Sequence, residues 1–220
     1  MAELLRQLKG LLSKAGDTSI RMDQRAEAIE TMQTLFREAS QPLGLLEDEP
    51  RLLLQLIPQA SFLGEDAVID LFALLSLDRK HSRRPVIAED CVGSALGLLG
   101  AEDAVTQELT ARLLAAVDYS EASLYTMLSP NLGALPTLVS FLRGDRPYMR
   151  LLALEILLSL SVCAAFNDRA ASSALGLIPA LGEVMLGDQP DAKAKAFALL
   201  CRITQSESNT AYLKCRGVAR

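Results

Sequence analysis

The sequence predicts an all-α protein built from stacked helical repeats, and two observations support this prediction. The first is composition: leucine makes up roughly a fifth of the 220 residues and half of the chain is hydrophobic, whereas aromatic residues account for only 5%. Good helix formers therefore outnumber the β-branched and aromatic residues that strands prefer. The second is an internal repeat, because short motifs recur at a spacing of 43 residues. Repeats of that length are typical of helical solenoids.

The repeat is clearest in the C-terminal part of the chain. Gly-Ala-Leu-Pro at 133–136 returns 43 residues later as Gly-Leu-Ile-Pro at 176–179, and Gly-Asp-Arg-Pro at 144–147 returns as Gly-Asp-Gln-Pro at 187–190. A further shift of 43 residues towards the N-terminus again aligns apolar positions, although the motif glycines are absent there. Shifts of 42 and then 40 residues align apolar positions still earlier in the chain. We therefore predict a single domain over 1–220 with about five repeats, the first and last incomplete. The predicted repeats are 1–46, 47–90, 91–132, 133–175 and 176–216.

Glycine and proline positions predict where the first two helices of a repeat begin. In the best copy, a short helix over about 166–174 leads through Gly176 into a second helix over 178–186, which has Pro179 in its first turn. Proline is tolerated there because a first-turn N–H has no partner within the helix.

A long third helix completes each repeat. Gly187 ends the second helix, and Asp188 is the predicted N-cap of a third helix that reaches about Gln205. The corresponding third helix at 146–162 is apolar on nearly every side. Such a helix must be covered by neighbouring repeats, so the core is predicted to run continuously along the array.

This pattern resembles a known family. Residues 133–142 and 153–160 resemble the second and third helices of an armadillo repeat, and residues 176–203 are similar. The resemblance covers about 131–217 and implies a right-handed α-solenoid of armadillo-like repeats. For the chain before residue 131, HEAT-like or mixed helical repeats remain alternatives.

The resemblance also implies a binding groove along the concave surface of the third helices. In the nuclear-import receptors of this family, a tryptophan and an asparagine four residues later hold an extended basic peptide there. By alignment these positions are Glu155 and Ser159 in one repeat, and Ala198 and Arg202 in the next. The chain contains no tryptophan, which argues against binding of a classical import signal.

Two rows of residues are therefore the candidate partner-binding groove, since residues i and i+4 share a helix face. The rows are Asp70, Arg112, Glu155 and Ala198, and beside them Leu74, Ala116, Ser159 and Arg202. Charges of both signs lie along them, which indicates a mixed-polarity groove for an extended peptide or a partner helix. The alternative is a solvated inner face that binds no ligand.

A basic cluster is the other candidate site. Its members, Arg79, Lys80, Arg83 and Arg84, surround His81 and precede a proline, which is typical of a loop after a third helix. Such a cluster suits an acidic protein, a phosphate or a nuclear transport receptor, and a solvated loop between repeats is the alternative.

Composition and motifs argue against several other functions. A net charge of −5 is unfavourable for general nucleic-acid binding. The four cysteines form no C-x-x-C pair and a single histidine accompanies them, so we expect no metal site and reduced thiols. The chain has no phosphate-binding glycine loop, its first residues do not predict a signal peptide, and the longest apolar stretch, 151–166, is too short to span a membrane. We expect the protein to have no cofactor and no enzymatic activity. Its expected location is the cytoplasm, with the nucleus as the alternative.

The function predicted from these observations is a non-catalytic scaffold or adaptor that binds a protein partner along the groove. Two alternatives stay open. One is a chaperone cofactor, of the type that releases nucleotide from Hsp70 or assists myosin folding, and the other is a structural subunit of a large assembly. Residues 209–218 look like a first helix that leads into the glycine of another repeat. Further repeats or a partner are therefore expected to cover the C-terminal end.

Overall fold

The structure is a computed structural model, and it describes residues 2–38, 50–63, 68, 71, 86–87, 89–129, 133–170 and 175–205. These residues are overwhelmingly helical, which confirms the prediction of an all-α protein. The chain divides into two compact bodies, Met1–Ser120 and Glu121–Arg220, which we call the N-terminal and the C-terminal body. The division falls within the predicted repeat 91–132, and the repeat boundaries remain a prediction.

The N-terminal body consists of short and medium-length helices. Its described elements are α1 (Ala2–Gly16), α2 (Met22–Glu38), α3 (Pro50–Leu56), a 3₁₀ turn (Ile57–Gln59), α4 (Ala60–Leu63), β1 (Val86–Ile87), α5 (Glu89–Leu99), α6 (Ala104–Ala116) and β2 (Asp118–Tyr119). Helix α1 packs against α2 and α3, α3 packs against α5, and α5 packs against α6.

Apolar side chains at helical spacing are buried on α1 and α2. Leu8 and Leu12 of α1 are fully buried, as is Ile29 of α2. Residues spaced three or four apart share one face of a helix, so each helix buries a stripe and exposes the opposite side. Arg25 is buried as well, and its Nε donates to the carbonyl oxygen of Ala15 at 2.8 Å. This bond satisfies one of the carbonyl groups that the end of α1 leaves without a helical partner.

Helix α6 begins with a side-chain cap. Asp103 is the N-cap residue, and its Oδ2 accepts a hydrogen bond from the backbone N–H of Thr106 at 2.7 Å. Hydrogen bonds from Thr106 hold the pKa of the Asp103 carboxyl below its ordinary value, because they favour the ionised form.

Two-residue strands form the one extended pairing in the described part of the chain. They run parallel, with Val86 opposite Asp118 and Ile87 opposite Tyr119. The Tyr119 hydroxyl donates to the carbonyl oxygen of Leu114 at 2.6 Å, which ties the second strand to the end of α6. The sequence did not predict this pairing, and at two residues per strand it leaves the all-α class unchanged.

The C-terminal body contains two successive helix pairs. Its described elements are α7 (Glu121–Leu128), α8 (Ala134–Arg143), α9 (Pro147–Leu160), α10 (Ala164–Ala170), α11 (Leu177–Leu186) and α12 (Pro190–Gln205). Helices α8 and α9 pack together as the first pair, and α11 and α12 as the second. Helix α8 also packs against α11, and α9 against α12, so elements 43 residues apart in sequence lie side by side.

Glycines begin and end the second helices, as the repeat predicts. Gly133 and Gly176 are the N-caps of α8 and α11, with φ of 66° and 68°. These values lie in the left-handed region, where a side chain would be strained. Gly144 and Gly187 are the C-caps, and the N–H of each bonds back to a carbonyl oxygen of its own helix.

The third helices start at the prolines of the repeated motif, one residue after the predicted start at 146 in the first of them, and the predicted N-cap of the second is wrong by one residue. Helix α9 begins at Pro147 and α12 at Pro190. The N-cap position of α12 therefore belongs to Gln189, whose carbonyl oxygen accepts the N–H of Lys193 at 3.0 Å. Asp188 precedes the cap, because the chain needs one more extended residue before the proline.

Helix α9 is buried on most of its circumference, as its apolar sequence predicts. The fully buried apolar residues are Ala153, Leu154, Ile156, Leu157 and Leu160. Leu151 and Leu158 are half-buried, and the helix ends two residues before the predicted end at 162. The short helix α10 starts two residues before its predicted start at 166, and residues 171–174 lie outside the described part of the chain.

Candidate partner-binding site

The predicted groove residues fall partly inside and partly outside the described structure. Arg112 and Ala116 lie on α6 of the N-terminal body. Glu155 and Ser159 lie on α9, and Ala198 and Arg202 on α12, in the C-terminal body. The remaining candidates lie outside the described residues: Asp70 and Leu74 of the groove, and Arg79, Lys80, Arg83 and Arg84 of the basic cluster.

In the N-terminal body, the two described groove candidates have different surroundings. The Arg112 guanidinium bonds to Oε1 of Glu108, with Nη2 at 2.7 Å and Nε at 3.1 Å, so it is held along its own helix. Ala116 is buried. It follows a run of buried apolar residues at the end of α6, and its methyl group therefore offers no surface to a partner.

In the C-terminal body, an ion pair joins the two third helices at the predicted groove. Lys195 Nζ of α12 lies 3.1 Å from Glu155 Oε1 of α9. Both side chains are about one third exposed, at 32% for Lys195 and 29% for Glu155. The pair is thus half in solvent, and its charged groups remain accessible to an approaching ligand.

The ion pair borders a depression of about 420 Å³ between α9 and α12. Its apolar lining residues are Leu151, Leu152 and Ala194, and its polar ones are Tyr148, Glu155, Asp191 and Lys195. Tyr148 is 41% exposed at the rim. An apolar surface with a few polar groups around it is the usual composition of a site that accepts one or two side chains of a ligand.

Arg202 lies towards the C-terminal end of the same pair of helices. Its Nη1 donates to the carbonyl oxygen of Leu158 at 2.9 Å and to Ser161 Oγ at 3.0 Å. It therefore satisfies a carbonyl in the last turn of α9 rather than projecting as an unattached charge. Ser159 is half-buried and Ala198 is exposed.

The structure brings Glu155 together with six residues that were not predicted as site residues, among them Tyr148, Leu151, Asp191 and Lys195. Tyr148 and Leu151 lie seven and four residues before Glu155, and Asp191 and Lys195 lie seven and three residues before Ala198. The signal for all four was helical spacing, because each shares a face with a predicted groove residue. Along each helix they lie one to two turns before the predicted groove residues.

Three other features are absent from the described part of the chain: a metal site, a disulfide and a membrane-spanning helix. There, no group of three or more His, Cys, Asp or Glu side chains is placed to hold a metal ion. No disulfide joins the described cysteines Cys91, Cys163 and Cys201. None of the described helices has both the length and the apolar character needed to cross a membrane.

Comparisons with known proteins give a likeness of fold. No protein-family model and no curated protein matches the chain. Among solved structures, the chain is similar to two engineered proteins from the Northeast Structural Genomics Consortium. One has a TM-score of 0.55 at 13% sequence identity, with 94% of this chain and 98% of that chain covered. The other has a TM-score of 0.49 at 15% identity, with 93% and 100% covered. At this identity, we take only a similarity of fold from the first.

Proposed function

We propose that this protein is a non-catalytic scaffold or adaptor, which binds a peptide or a partner helix across α9 and α12. The observation that carries the proposal is the depression between these helices, which combines an apolar lining with an accessible ion pair. Its volume of about 420 Å³ lies at the lower end of the range for ligand pockets. It therefore suits an anchoring side chain of a larger partner.

The proposal includes the finer architecture, a right-handed α-solenoid of armadillo-like repeats. Support comes from the C-terminal body, where two helix pairs 43 residues apart carry the same capping glycines and pack with equivalent helices side by side. Repeat proteins of this kind offer extended surfaces to their partners, because each repeat adds another helix to the same face.

The polar groups of the depression indicate which kind of partner segment could bind there. The Glu155–Lys195 pair is partly exposed, so it adds little to stability and its charges can reorient towards a ligand. Asp191 is exposed in the first turn of α12, and no hydrogen bond or ion pair joins it to another described residue. This surface fits a partner segment that has an apolar anchoring side chain and polar groups able to pair with both acidic and basic side chains.

The test begins with proximity labelling or pull-down of the full chain, followed by affinity measurements with the partner obtained. We expect Tyr148→Ala to weaken binding by about tenfold or more, the size of effect found for aromatic anchors in the centre of an interface. Asp191→Asn should weaken it less, since it removes only a rim charge.

Tyr125→Ala is the matched control, because Tyr125 is also an exposed helical tyrosine of the C-terminal body, at 57%, and it does not line the depression. Thermal melting checks that each variant keeps its fold. Equal losses in the Tyr148 and Tyr125 variants, or unchanged binding in both, would place the contact elsewhere. If no protein is enriched over a control bait, the scaffold function itself is refuted.

A further inference from the structure

We draw no further inference here: the strongest candidate, the apolar face of α11 and α12 that exposes Leu186 and Phe197, carries nothing, because nothing in the described part of the chain shows what covers it.

Discussion

Two leucine-to-alanine substitutions in the C-terminal body measure how much the burial of a leucine contributes to the free energy of unfolding. Leu154 is fully buried on α9, whereas Leu186 at the end of α11 is 86% exposed. The chemical change is the same at both positions, and both residues are helical, so the difference in helix propensity largely cancels. What remains is the difference in burial.

The magnitudes follow from that burial. Leu→Ala removes three carbons, and at about 0.8 kcal/mol per buried carbon the transfer term for Leu154 is about 2.4 kcal/mol. A partly unrelaxed cavity raises the loss in the free energy of unfolding to about 3 kcal/mol. For Leu186, with 86% of the residue already in solvent, the same arithmetic gives about 0.3 kcal/mol.

Urea titration followed by far-ultraviolet circular dichroism measures both values. The m-value shows which transition each substitution shifts. If Leu154→Ala costs less than about 1 kcal/mol, α9 is not covered as described. If the two substitutions cost the same, the difference in burial between Leu154 and Leu186 is refuted.

Three further predictions concern backbone, cap and ion pair. Gly176 has a φ of 68°, so Gly176→Ala should lower the free energy of unfolding by about 1–2 kcal/mol. Gly182 lies inside α11 with open space around it, so Gly182→Ala should raise the free energy of unfolding by about 0.5–1 kcal/mol. Urea titration compares the two variants. Asp103→Ala should cost about 1 kcal/mol at neutral pH. Because hydrogen bonds from Thr106 lower the folded-state pKa of Asp103 from 3.8, its contribution is fully present above pH 3.8 and is lost as the pH falls through the lower folded-state pKa. Urea titrations at a series of pH values from 7 downwards should show the variant's deficit shrinking below pH 3.8, and a deficit that stays constant argues against the cap. Glu155→Gln should cost less than about 1 kcal/mol, and thermal melting that shows a larger loss would mean that the pair with Lys195 is structural.

The helix boundaries of the C-terminal body were predictable because glycine and proline act locally. Gly133 and Gly176 open the second helices, and Pro147 and Pro190 open the third ones, as their backbone preferences require. The prediction of an all-α protein depended only on composition and period. Composition and a repeat can both be read from the sequence without knowing how the helices pack.

The candidate site was less predictable because it depends on how helices from different repeats meet. Glu155 pairs with Lys195, 40 residues later, whereas the sequence repeat has a period of 43. The ion pair therefore joins residues that are not equivalent positions of the two repeats. No local sequence pattern encodes which residues of neighbouring helices meet. Phe197 illustrates the same limit: its sequence context is typical of a core residue, but it is 59% exposed, because burial requires a neighbour.

The bond from Arg202 to the Leu158 carbonyl affects how the C-terminal body opens. The carbonyl groups at the end of α9 have no partner within the helix, and one of them is satisfied from α12. Arg143 makes the reverse connection, from the end of α8 forward to the Gly176 carbonyl. Fraying of α12 therefore removes one of the hydrogen bonds in the last turn of α9. Amide hydrogens in that turn should exchange with solvent faster when α12 frays.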